Sequence, residues 1–92
     1  MPEAKVYDDL KQVLQEFKDF LDTNKQSIRD AIGPLKSIVP QTGEALSALS
    51  GLLGSLTDKI SGIDVGSIAE TIKQDIVTLL NDVTQTLQFI NS

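Results

Sequence analysis

The chain predicts an all-α fold, an up-down-up bundle of three helices in one 92-residue domain. Three observations point there. From Val6 to Val39 the apolar residues Val6, Leu10, Val13, Leu14, Phe17, Phe20, Leu21, Ile28, Ala31, Ile32, Leu35, Ile38 and Val39 keep one 3.6-residue phase, covering roughly a third of a helix circumference. Leu46, Leu49, Leu53, Leu56, Ile60 and Ile63 alternate spacings of three and four, the seam of an antiparallel bundle or coiled coil. Ile68, Ile72, Ile76, Leu79, Leu80, Val83, Leu87 and Ile90 cover one face of a third segment.

The first helix is expected over about residues 3–39, with Pro2 beside its first turn and Glu3 at the positive end of its dipole. Thr23 and Gln26 have the spacing of a capping box and could begin a new helix. The apolar residues beyond them stay in phase with those before, which favours one helix through Asn24. Gly33-Pro34 removes a mid-helix hydrogen bond, and Pro34 lies on the polar side, so a kink or short break is expected there. Pro40 then ends the segment, and Gln41-Thr42-Gly43 forms the connection. A four-helix bundle broken near Thr23 or Gly33 is the alternative.

The second helix is expected over 43–61, with Thr42 as its N-cap and Glu44 in its first turn. Opposite its leucines run Ser47, Ser50, Gly51, Gly54 and Ser55, and each mid-helix Gly costs roughly 1 kcal/mol relative to Ala. Gly62 stops the helix, and Ile63-Asp64-Val65-Gly66 leads to a third helix over 67–90. Ser67 and Glu70 make a capping box at its start. The lengths are unequal, roughly 50 Å for the first helix against 28 and 37 Å for the others. The excess must bend, overhang or pair with another chain.

Composition excludes several function classes. With no Cys and no His, the chain lacks the thiol nucleophile, the commonest general base and the usual transition-metal ligands. Asp8, Asp9, Glu16, Asp19 and Asp22 lie on the polar side of the first helix, where a solvated face is the simpler reading than a catalytic or metal site. The Ser and Thr residues stand in no nucleophile elbow or phosphate loop. No enzyme, cofactor or metal site is expected. A net charge of −5 and four aromatic residues without Trp argue against nucleic acid. The uncharged run Ala45–Thr57 is 13 residues, too short to span a bilayer, and the first residues show no signal-peptide pattern, so a soluble protein is expected.

What remains are contact surfaces. Lys11, Lys18, Lys25, Arg29 and Lys36 fall on one edge of the first helix's apolar stripe. Such a row can meet anionic lipid or an acidic partner, or it can drape over the core and pair with acids across a helix seam. Asn24 interrupts the stripe, where a polar residue sets register or oligomeric state. Ser47, Gly51 and Ser55 would allow close helix approach, within the fold or in a dimer. Leu52, Val77 and Phe89 sit off the main stripes and would form a partner-binding patch if the fold brought them together. The expected function is a non-enzymatic helical interaction module, self-associating as a homodimer. The alternative is an amphipathic surface for lipid or another hydrophobic ligand.

Overall fold

The computed structural model describes residues 2–64 and 66–92, with side chains described for 5–64, 66 and 69–92. It contains three helices, α1 (Pro2–Ile38), α2 (Gln41–Ser61) and α3 (Ser67–Ile90), packed as an all-α bundle. Helix α1 runs unbroken through Thr23 and Gly33 with Pro34 inside it, so the four-helix alternative does not hold. Pro34 is exposed, as is Asp30, whose carbonyl loses its partner. A straight helix of 37 residues would span roughly 54 Å. The longest dimension is 48 Å, so α1 bends or runs oblique to the long axis.

The α1–α2 connection is tighter than expected. Only Val39 and Pro40 separate the helices, and Gln41, Thr42 and Gly43 already belong to α2. Thr42 is therefore not the N-cap. Pro40 takes that position with φ −58° and ψ −25°, and no side chain caps the helix. The proline ring presets a helical φ, and an N–H there would have no helical acceptor anyway, so Pro40 starts α2 as readily as it ends α1. Backbone bonds from Thr42 to the Val39 carbonyl (3.0 Å) and from Gly43 to the Pro40 carbonyl (3.2 Å) close the turn.

At the other junction Gly62 is the C-cap of α2, with φ −84° and ψ −6°. Its N–H donates to the Asp58 carbonyl at 3.2 Å. Gly66, in extended conformation, holds the N-cap position of α3, and Ser67 is already the first helical residue. The proposed Ser67 cap and the stripe residue Ile68 have side chains outside the described residues, as does Val65 altogether.

Helix α3 is the centre of the bundle. It packs along both α1 and α2, which themselves meet only sparsely. Most of the buried core therefore belongs to α3: Ile76, Leu79, Leu80, Val83, Leu87 and Ile90. Toward one end Leu21 of α1 joins Val83, Leu87 and Ile90, with Ile28, Ile32, Leu46 and Leu53 packed around them. Toward the other, Ile60 of α2 joins Ile76 and Leu80, flanked by Tyr7, Leu10, Leu14, Leu53, Ile72 and Val77. Leu53 belongs to both sets and ties them together. Among the described residues no helix is long and apolar enough to cross a membrane.

Candidate functional site

The α1 stripe is wider than one neighbouring helix can cover. Tyr7, Leu10, Leu14, Leu21, Ile28 and Ile32 turn toward α3 and pack on the core. The other half of the same stripe, Val6, Val13, Phe17, Phe20, Leu35 and Ile38, stays open, with Val6 64% and Phe20 58% exposed. Helix α2 repeats the pattern. Thr57 and Ile60 are buried, whereas Leu49, Leu52 and Leu56 are not, and Leu52 is 68% exposed.

The polar seams show which way these open halves face. On the outer side of the α1–α3 seam, Lys11 pairs with Asp75 at 3.0 Å. On the outer side of the α2–α3 seam, Asn91 Nδ2 donates to the Gly43 carbonyl at 3.2 Å and to Ser47 Oγ at 3.1 Å. Each open apolar half lies on the side of its helix away from its polar seam. Both therefore border the single face that α3 does not cover, where α1 and α2 splay apart. Among its described residues α3 has no comparable bare row, because it has a neighbour on either side.

The basic row lies along the α1–α3 seam. Lys18 donates to Asp22 Oδ2 at 2.9 Å, and this contact holds the Asp22 carboxyl below its usual range and raises the Lys18 ammonium above its own. Thr86 Oγ1 donates to the other Asp22 oxygen at 3.3 Å, which also favours the carboxylate. Lys25 Nζ and the Arg29 guanidinium stand 5.5 and 5.1 Å from the centre of the Phe89 ring. Arg29 Nε donates to Ser92 Oγ at 3.2 Å, and Lys36 Nζ donates to the Asn91 carbonyl at the end of α3. The row thus lies against α3 acids, an aromatic face and a helix C-terminus, where cations are favoured.

Asn24 bends back onto its own helix, its Nδ2 donating to the Phe20 carbonyl at 2.8 Å. It sits within the open half of the α1 stripe. Of Ser47, Gly51 and Ser55, Ser47 meets α3 through Asn91, whereas Gly51 mediates no close approach inside the chain. A Cβ added at Gly51 or Gly54 would meet nothing within 4 Å, and an open recess lies between this small-residue face and Thr84, Gln88 and Asn91 of α3. Nor do Leu52, Val77 and Phe89 form one patch. Leu52 belongs to the open face, Val77 packs beside Ile60, Ile76 and Leu80, and Phe89 lies beneath Lys25 and Arg29.

One side chain of consequence gives no pattern in the sequence. Lys73, the only basic residue of α3, is 7% exposed. Its ammonium donates to the Ser61 carbonyl at 3.2 Å and the Ile63 carbonyl at 2.9 Å, with Glu70 Oε2 at 3.5 Å. It clamps the C-terminus of α2. Its place at the margin of the α3 stripe is the one signal that could have pointed to it.

No protein-family model, curated protein or solved structure matches this chain.

Proposed function

We propose that this chain is a non-enzymatic helical assembly module that self-associates through the face left open by α1 and α2. The observation that carries this reading is the row Val6, Val13, Phe17, Phe20, Leu35 and Ile38, exposed along one side of a helix whose other side is packed. With Leu49, Leu52 and Leu56 these are nine large residues between 41% and 79% exposed, on the order of 800 Å² of bare surface at about 150–250 Å² for a fully exposed large side chain. That exceeds the largest patch usual on a monomer and equals what each partner buries in a standard-size interface.

An apolar row of this kind also suits lipid or another hydrophobic surface. The basic residues favour protein. An interfacial helix directs its cations outward at the headgroups, whereas here Lys11 is paired with Asp75 and Lys25 and Arg29 stack on Phe89. The open face itself is bordered on α1 by Glu16, which anionic lipid would repel, while Asp9 is paired with Lys5 at 3.2 Å.

Light scattering with and without anionic vesicles separates the two readings. Assembly gives a mass that is a multiple of 10 kDa and ignores lipid. Phe20→Glu, at an exposed position, reduces that mass to one chain while leaving the helix content intact. A wild-type monomer that moves onto vesicles overturns the proposal in favour of lipid binding.

A further inference from the structure

We infer that in the assembled form the open face is covered by a second copy, with α1 lying antiparallel to the partner's α1 and the two-fold axis passing through Asn24. This rests on the self-association reading above and specifies its geometry. A second copy suits the area, since the roughly 800 Å² left bare per chain is one side of a standard-size interface. Symmetry then constrains the register. In an isologous pair of antiparallel helices, residues at equal distances on either side of the axis face one another.

Asn24 is the polar interruption in an otherwise apolar row, so its place decides among registers. On the axis it meets its own counterpart, and two amides can hydrogen-bond to each other, each able to donate and accept. In this register Phe17 faces the partner's Ala31 and Val13 faces the partner's Leu35. Large then opposes small at the first pair, as interdigitating layers require. Placing the axis between Lys18 and Asp19 instead sets Asn24 against the partner's Val13. That buries an amide without a partner. The same rotation turns Leu49, Leu52 and Leu56 of α2 toward their own counterparts. The Asn24 side chain is free to make the exchange, because its bond to the Phe20 carbonyl spans one turn of its own helix and satisfies one of its two donor hydrogens.

The chain has no Cys, so single cysteines report contacts directly. Asn24→Cys is expected to form a disulfide-linked dimer on mild oxidation at micromolar concentration, because the two sites lie within the 4–7 Å Cα separation a disulfide spans. Ala31→Cys alone is expected not to link, as seven residues on either side of the axis separate the sites by roughly 20 Å. An equimolar mixture of Phe17→Cys and Ala31→Cys links to the mixed dimer. Light scattering of the same variants under reducing conditions is run alongside. A reduced dimer in which Ala31→Cys links to itself, or Asn24→Cys does not, overturns the antiparallel register and leaves the assembly reading standing. A reduced monomer for wild type overturns both. Circular dichroism confirms that each variant retains its helices.

Discussion

Replacing Lys73 by Met removes an ammonium group while keeping most of the apolar stem, and the cost can be worked from its contacts. Two carbonyls at the α2 terminus, those of Ser61 and Ile63, lose a charged donor at 3.2 and 2.9 Å. A hydrogen bond to a charged group contributes about 1.5–3 kcal/mol, and a cation at a helix C-terminus a further 0.3–1 kcal/mol. Both gains are reduced here. Ser61 and Ile63 are exposed, so water can take over their carbonyls, and the mutant no longer desolvates an ammonium that is 7% exposed. The net loss should be about 1–3 kcal/mol. For a domain of this size that lowers Tm by about 5–20 °C. Thermal melts followed by circular dichroism, at one fixed protein concentration because association shifts Tm, would read it. Hydrogen exchange should show the last turn of α2 opening more easily. Lys59→Met, in the same turn but exposed, is the control and should change stability by less than about 0.5 kcal/mol. If Lys73→Met were as silent as that control, the Lys73 ammonium would not hold the end of α2.

Gly51→Ala and Gly54→Ala should each stabilise the fold by about 1 kcal/mol in urea titrations, since an added methyl meets nothing within 4 Å. A loss of stability or of oligomer mass would instead mean that a second chain packs its backbone on this face. Asp22 carries a pH prediction. Its carboxyl lies below the ordinary range when folded, so its stabilisation is fully present above that range and is lost as pH falls through the depressed folded value. Lys18 acts in the opposite sense: its raised ammonium stabilises below the usual lysine value, and that contribution is lost as pH rises through the folded value. Asp22→Asn should therefore flatten the fall in Tm between about pH 5 and pH 2, and an unchanged acid profile would refute the pairing.

Much of the fold was legible because the strongest local signals agreed. The apolar phase continued across Thr23 and Gly33, and the continuity of that phase outweighed both the capping-box pattern and the proline. Pro34 could be absorbed because its cost falls on the solvent side. The junctions were less legible, since the same Pro40 both ends one helix and starts the next, and the φ that forbids continuation is the φ a first turn needs. Asn91 reaching Gly43 and Ser47, and Lys73 reaching the end of α2, depend on helix ends meeting across the bundle. No local spacing encodes that. The basic row was visible as a row, but its two readings, headgroup contact or seam, differ only in what stands opposite.

Which helix sits in the middle was also unreadable, and the proposed function rests on it. A stripe records how much surface a helix must bury, not how many neighbours will bury it. Helix α3 has two neighbours, and its stripe is covered to the point that Ile76, Leu80, Val83 and Ile90 are at most 1% exposed. Helices α1 and α2 have one principal neighbour each, yet α1 carries a stripe of similar width over half again the length. One packed neighbour covers only part of such a stripe, because residues facing a single helix form a narrow seam whereas a core-facing helix needs a broader band. The surplus on α1 keeps one phase from Val6 to Ile38, interrupted at Asn24. Scattered exposed leucines would need no explanation. A sustained in-phase surplus, matched by one on α2 and bordering the same uncovered face, is what the proposed second copy would cover.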